Sequence, residues 1–131
     1  MPEIRYNTND YQLDADVFIR LASEVFPGEY NHQHTEDALK KTVNITAWNG
    51  DELVGCVRVL TDGYFHGMIT VALVSPNYQH SGIGKKMLEL AYEASPTFLM
   101  VGASPASANF YEKLGYEKIE NVFMKKKPRK Q

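Results

Sequence analysis

Cysteine and long apolar runs are both scarce in this sequence, and each shortage removes a class of protein. Of 131 residues only Cys56 is a cysteine, so an internal disulfide is impossible and no cysteine cluster exists to hold a structural zinc. Cys56 lies in Leu53-Val54-Gly55-Cys56-Val57-Arg58-Val59-Leu60, where it reads as a strand residue. Nothing beside it in sequence would lower its pKa, and a nucleophilic role is not expected. No stretch approaches the roughly 18 consecutive apolar residues of a membrane span. Met1-Pro2-Glu3-Ile4-Arg5 also lacks the basic-then-apolar order of a secretory leader. The expectation is a cytoplasmic protein. Repeats, linkers and low-complexity stretches are missing too. With 131 residues and 44% hydrophobic content, this implies one domain over residues 1–124, large enough for its own core, and a short basic tail over 125–131.

Net charge is small, −2, but it is unevenly spread. Lys125, Lys126, Lys127, Arg129 and Lys130 supply five of the fourteen basic residues, leaving nine against sixteen acidic ones in the body. A run this short after the last strand reads as a solvated terminus, so neither nucleic acid nor membrane is expected as a partner. The first 39 residues carry eight acidic side chains against only Arg5 and Arg20. Such a field steers a cationic ligand inward, and a solvated acidic surface explains the same charges.

The hydrophobic spacing predicts a regular succession of elements. Glu3 to Asn7 reads as a strand, and Asp14 to Phe26 as a helix with Val17, Phe18, Leu21, Ala22 and Val25 on one side. Thr35 before Glu36-Asp37 suits the start of a second helix running to Val43. Ile45 to Trp48 and Leu53 to Leu60 flank Asn49-Gly50-Asp51, a hairpin signal, and Tyr64 to Val74 follows as a third antiparallel strand. A helix from Gly82 to Ala94, a strand from Thr97 to Val101, a helix from Ala106 to Leu114 and a strand resuming at Tyr116 complete the chain.

The most informative stretch is Val74-Ser75-Pro76-Asn77-Tyr78-Gln79-His80-Ser81-Gly82-Ile83-Gly84-Lys85. The apolar strand Met68 to Val74 ends at Pro76, which cannot donate to a ladder, and Ile83, Met87, Leu90, Ala91 and Ala94 then recur at helical spacing. Between strand and helix lie amides with no internal partner at the electropositive end of the helix, a natural seat for phosphate. Neither G-x-G-x-x-G nor G-x-x-x-x-G-K-[ST] occurs, which removes the dinucleotide and Walker readings.

The spacing Gln79-x-x-Gly82-x-Gly84 after Val74-x-Pro76, with Phe110-Tyr111-Glu112-Lys113-Leu114-Gly115-Tyr116 downstream, resembles the paired motifs of the GNAT superfamily of N-acetyltransferases. The match is strongest over residues 71–117. It implies an α/β fold, a mixed, strongly twisted sheet in the order β-α-α-β-β-β-α-β-α-β with helices on both faces. It also implies acetyl-CoA as co-substrate and no metal. The diphosphate would rest on Gln79, His80, Ser81, Gly82, Ile83, Gly84 and Lys85, with pantetheine along Leu73 and Val74. Tyr111 becomes the candidate general acid toward the departing sulfur.

The implied activity is acetyl transfer by direct attack of a primary amine, on a small cationic acceptor or a protein amino group. A non-catalytic acyl-CoA-binding module on the same fold is the alternative. Many members carry a carboxylate where this chain has Val71, and an Asn where it has Pro105; Ser104 and Ser107 are the nearest polar substitutes. An alkyl amine with a pKa near ~10.4 must lose a proton before attack, and Glu24, Glu29, Asp62, His66, His80 or water are candidates to take it. His32-x-His34 in an extended segment would present two ring nitrogens to one side, short of a metal site without a third ligand. With Glu29 and Tyr30 they are read instead as neighbours of the acceptor. An exposed edge strand would suit a homodimer.

Overall fold

The computed structural model describes residues 3–128. Five strands and four helices form among them: β1 Arg5–Asn7, α1 Ala15–Val25, α2 His32–Leu39, β2 Val43–Asn49, β3 Glu52–Thr61, β4 Gly67–Val74, α3 Ile83–Ala94, β5 Met100–Val101 and α4 Pro105–Lys113. A single 3-10 turn, Pro76–Tyr78, separates β4 from α3. The sheet order is β1-β2-β3-β4-β5. The first four strands pair antiparallel, and β4 pairs parallel with β5 through the α3 crossover. The expected mixed α/β fold is therefore present.

Four boundaries differ from the sequence expectation. Helix α2 starts at Asn31, whose Oδ1 accepts from the His34 amide at 2.9 Å. Thr35, the expected cap, instead donates its hydroxyl to the Asn31 carbonyl at 2.8 Å. The helix stops at Leu39 because the Asn44 side-chain amide takes the Leu39 carbonyl at 2.9 Å. Strand β4 begins at Gly67 rather than Tyr64, since one Asp62 carboxylate oxygen accepts from the amides of Tyr64, Phe65 and His66 and folds them into a turn. Strand β5 is two residues long, not five. Thr97 is held out of the ladder by its own turn, Ser95 Oγ to the Thr97 carbonyl, and by its hydroxyl on the Phe65 carbonyl.

The strand expected to resume at Tyr116 does not form among the described residues. Ile119, Val122, Phe123 and Met124 are exposed there, because a two-residue β5 is too short an edge to template another strand.

Two cores lie on opposite faces of the sheet. On one, Ile45, Val54, Val57 and Ile69 pack beneath Ile83, Met87, Leu88 and Ala91 of α3, with Tyr111, Leu114 and Tyr116 at the margin. Helix α3 lies close because Gly55 has no side chain: a Cβ there would meet the Met87 methyl at 2.7 Å. On the other face, Leu13, Ala15, Phe18, Leu21 and Ala22 cover Leu53, Cys56 and Leu73. A buried carboxylate closes this second core. Asp10 accepts from Thr46 Oγ1 at 2.8 Å, Trp48 Nε1 at 3.1 Å and the Gln12 amide at 3.2 Å, tying the β1–α1 connection to β2.

Asp10→Ala leaves the buried Thr46 hydroxyl without its acceptor, whereas Trp48 Nε1 keeps Thr46 Oγ1 at 3.0 Å. We expect it to lower the unfolding free energy by about 1–3 kcal/mol in urea titration, whereas a loss below about 0.5 kcal/mol would show that water replaces the carboxylate freely.

Candidate active site

Strands β4 and β5 share only the pairs Met68↔Met100 and Ile69↔Val101. Beyond Ile69 the two strands part, and β4 from Thr70 to Val74 is laddered on one side only, to β3. At the point of departure β4 carries an extra residue. Arg58 faces Val71 and Val59 faces Ile69, which leaves Thr70 as a bulge. The bulge turns the strand, so that Val71 and Leu73 join the α1 face while Ile69 stays with the α3 core. A slot open toward the β4 C-terminus results.

That C-terminus leads into the anion corner. Ser75 donates its amide to the Val54 carbonyl at 2.8 Å, and its buried hydroxyl has no partner. Tyr78 anchors the turn to the β2–β3 hairpin by accepting from Asn49 Nδ2 at 2.7 Å and donating to Glu52 Oε1 at 3.2 Å. Gln79 Nε2 donates to the Val74 carbonyl at 3.0 Å, and the Ser81 hydroxyl donates to the Tyr78 carbonyl.

His80 (φ 64°) and Gly82 (φ 88°) both take the left-handed conformation. Gly82 is the N-cap of α3, with no side chain to cap it, and the first intrahelical bond runs from Lys86 N to the Gly82 carbonyl at 3.0 Å. The amides of Gly82, Ile83, Gly84 and Lys85 therefore have no hydrogen-bond partner among the described residues. Successive free N–H groups around left-handed residues form a concave anion nest, reinforced here by the helix dipole. These residues fit a diphosphate. A Cβ on Gly84 would stand 3.5 Å from Val74 and 3.9 Å from the Phe110 ring, so the corner, the end of β4 and helix α4 converge.

Helix α4 supplies the aromatic wall. Pro105 occupies its first turn, and Ser104 and Ser107, the polar residues nearest Pro105, bond to one another with Oγ atoms 3.1 Å apart. At the other end Tyr116 N reaches the Tyr111 carbonyl at 3.1 Å, Gly115 N the Glu112 carbonyl at 3.0 Å, and Gly115 has φ 93°. This Schellman arrangement brings Tyr116 back onto Tyr111. Their rings meet edge to face at 5.4 Å, and Phe110 meets Tyr111 the same way at 5.3 Å. Burial raises the pKa of the Tyr111 phenol above its ordinary value. Tyr116 is raised by burial and by its tyrosine neighbours, and its hydroxyl is buried with no partner.

The expected proton acceptors do not gather at this corner. Asp62 and His66 lie in the turn entering β4, at the opposite end of the strand. The Asp62 carboxylate is committed to three amides, which lower its pKa, and the His66 ring stacks edge-on against Phe98 at 5.3 Å. Of the five side chains named from sequence, His80 alone belongs to the corner. Glu24 and Glu29 are exposed on and after α1.

His32 and His34 lie in a helix, not an extended segment, and two positions apart they diverge. His32 instead meets Asp16 at 3.2 Å, and with Asp14 these residues bring three exposed ligand atoms within 4.8 Å of each other. Asp14 is meanwhile the N-cap of α1. A groove of about 540 Å³ lined by residues 9–15, Glu36 and 39–44 lies at the N-terminal end of β2. Because β2 and β4 run in the same direction, this groove is at the far end of the sheet from the corner. Cys56 is fully buried, and burial pushes its thiol up to about 12.

Two features escaped the sequence reading. The Thr70 bulge has no sequence signal of its own. Arg58 had one: it is the sole charged residue inside the apolar run 53–60, and the structure buries it to 9% exposure on the α1 face.

Comparison with known proteins agrees with this fold. A family model described as an acetyltransferase (GNAT) domain matches residues 8–129. A GNAT-family acetyltransferase structure from Streptococcus pneumoniae is 23% identical, covering 99% of this chain and 100% of that one with a TM-score of 0.78. A putative GNAT-family acetyltransferase from Xanthomonas campestris is 17% identical, covers 98% and 96%, and has a TM-score of 0.79. The structure of AAC(6')-Iy with a bisubstrate CoA analogue is 15% identical, covers 97% and 99%, and has a TM-score of 0.72. A search of curated proteins finds no match. No helix among the described residues is long and apolar enough to cross a membrane.

Because Cys56 is fully buried and burial pushes its thiol up to about 12, native protein at pH 8 should resist iodoacetamide and become labelled only in denaturant. Rapid stoichiometric labelling of the folded protein by mass spectrometry would contradict this burial.

Proposed function

The chain belongs to the GNAT acetyltransferase family, and on that premise we propose that it moves the acetyl group of acetyl-CoA directly to the primary amine of a small acceptor or a protein. The observation that carries this reading is the run of free amides from Gly82 to Lys85 at the mouth of the β4–β5 slot. Acetyl-CoA, when bound, supplies a thioester whose carbonyl carbon accepts the amine as the CoA thiol departs. The nest from Gln79 to Lys85 would hold the diphosphate, and the unladdered side of Leu73 and Val74 offers main-chain partners to pantetheine. Holding both reactants in one slot replaces a collision with an oriented encounter. With its thiol at about 12, Cys56 is not a carrier of the acetyl group.

Tyr111 donates its hydroxyl hydrogen bond toward the departing sulfur. Full transfer from a phenol near ~10 to a thiolate near ~8.5 is uphill by roughly 2 kcal/mol. Burial raises the phenol further, so hydrogen-bond donation is the greater part of its role. The amine's proton passes to water, since the slot holds no carboxylate at Val71 and the Asp62 and His66 side chains lie at the far end of β4. The missing carboxylate is also the observation favouring a non-catalytic acyl-CoA module. That module would show a CoA-dependent thermal shift with no thiol release for any amine. The place of action is the cytoplasm.

Pairing Gly82→Ala with Gly84→Val should weaken CoA binding at least tenfold in titration calorimetry while circular dichroism still reports a folded protein. Undiminished affinity would remove the basis of this reading. Tyr111→Phe should cut turnover about 100-fold with CoA affinity nearly unchanged. Because the phenol's pKa is raised, the wild-type alkaline limb attributable to it should lie above pH 10; unaltered turnover in the variant takes Tyr111 out of the mechanism.

A further inference from the structure

Strands β3, β4 and β5 together present an apolar floor that neither α1 nor α2 covers. Leu60 pairs with Met68, and Met68 pairs in turn with Met100, so the three side chains stand in a row on one face of the sheet. The neighbouring row, Val59, Ile69 and Val101, packs under α3. Leu60, Met68 and Met100 therefore face the α1 side. Helices α1 and α2 build their core on Leu53, Cys56 and Leu73 and stop short of this row, leaving Leu60 51% and Met68 44% exposed. Gly67 and Leu99 belong to the α3 face, where a Cβ on Gly67 would meet the Leu99 side chain at 2.9 Å. By alternation, His66 and Phe98 lie on the α1 face beside Met68 and Met100. Their rings meet edge to face at 5.3 Å, and Phe98, 48% exposed, forms the far rim of the floor.

The floor runs directly into the slot. Met68↔Met100 is the first of the two pairs that join β4 to β5, and one pair later the strands part. Thr70, the exposed bulge residue at the point of departure, is two residues beyond Met68, about 7 Å along the strand. The nest, Phe110 and Tyr111 all lie on the α3 and α4 side, which leaves the α1 side of the slot to the second reactant. A molecule entering there with its nitrogen at Thr70 has Met68 and Met100 beneath its next few atoms, and it reaches the level of Phe98 after roughly 14 Å. Leu60, Met68, Met100 and Phe98 offer no hydrogen-bond donor and no charge. An apolar group gains by covering them, whereas a polar one gives up water for nothing. Methionine side chains adapt to the shape laid on them. At roughly 100 Å² for each half-exposed side chain, the floor suits a small molecule and falls short of the roughly 800 Å² per partner that a stable protein interface takes.

Resting on the acetyl-transfer reading, we propose that the acceptor is a small primary amine with an apolar body, alkyl or aromatic, which lies on Leu60, Met68 and Met100 while the nitrogen enters the slot beside Thr70. The transfer itself is unchanged: the nitrogen–carbon bond forms as the carbon–sulfur bond breaks, the nitrogen's proton goes to water, and CoA leaves as its thiol. The acidic N-terminal third draws in any ammonium group, and the floor selects by the rest of the molecule.

The test is thiol release from acetyl-CoA with matched amines: hexylamine against 5-aminopentan-1-ol, 4-phenylbutylamine against 6-aminohexan-1-ol, and the series from butylamine to heptylamine. Calorimetric binding of the same compounds to CoA-loaded protein and sedimentation of the protein alone are measured in parallel. We expect kcat/KM at least tenfold higher for the apolar member of each pair and a rise of about threefold per added CH₂ along the series. In the double variant Leu60→Thr with Met68→Thr, which keeps β-branched residues in the strands, both preferences should shrink toward unity. Thiol release with equal kcat/KM within each pair and a flat series overturns the proposal and leaves acetyl transfer standing. Binding of the apolar amines that the double variant abolishes, without thiol release from any compound, keeps the apolar site and overturns the enzymatic reading. A dimer in solution that the double variant dissociates assigns the floor to a second copy and overturns the proposal. Neither binding nor release for any apolar amine overturns the site outright, and the wild-type data decide this even if the double variant fails to fold.

Discussion

Main-chain hydrogen bonding along β4 is the constraint from which the rest follows. A buried strand needs partners on both sides, and β5 supplies them for two residues only. The groups from Thr70 to Val74 that face away from β3 therefore lack a strand partner, and apart from the Val74 carbonyl, which Gln79 Nε2 occupies, they are open to a bound molecule. The Thr70 bulge, the Pro76 stop and the left-handed Gly82 carry the same deficit forward into the first turn of α3, where the next free amides lie. Slot and nest are two stretches of open backbone joined by the Ser75–Ser81 turn, in which the Ser75 and Tyr78 amides are already bonded. An elongated co-substrate with amides along its arm and a diphosphate at its head fits the two stretches without needing charged side chains.

The two faces of the sheet divide the labour. Helices α3 and α4 cover one face and bring Phe110, Tyr111 and Gly84 against the end of β4, where the diphosphate and sulfur would lie. Helices α1 and α2 cover the other, where Arg58 lies against Phe18 and Thr42. Side chains that look catalytic in isolation have other duties: Asp62 folds a turn, Asp14 caps a helix and Cys56 fills core. Tyr111 keeps its place because the Schellman turn after α4 presses Tyr116 against it and limits its freedom.

Local chemistry was the legible part. The helix spacing of α1, the hairpin around Asn49-Gly50, and the strand, turn and helix from Met68 through Ala94 depend on neighbours a few residues away, and each formed where its pattern lay. Contests between equally local signals were harder. Asn31 displaced Thr35 as the cap of α2 because its Oδ1 accepts from the His34 amide, and Asn44, five residues past Leu39, took the Leu39 carbonyl where that helix ends. Tyr116 to Met124 has strand-like composition, yet its partner edge is set by how Thr97 is held to Phe65, a contact across the fold.

From its letters alone this chain determined an α/β domain with an anion-binding helix start after an apolar strand, because glycine, proline and apolar periodicity act over one or two turns of backbone. Only the tertiary structure decided where β5 leaves β4, which side chains reach the slot and that Arg58 is buried without a carboxylate. Those outcomes depend on the register between strands and the packing of α1 against β3, and residues far apart in sequence cannot signal such distances until they are brought together.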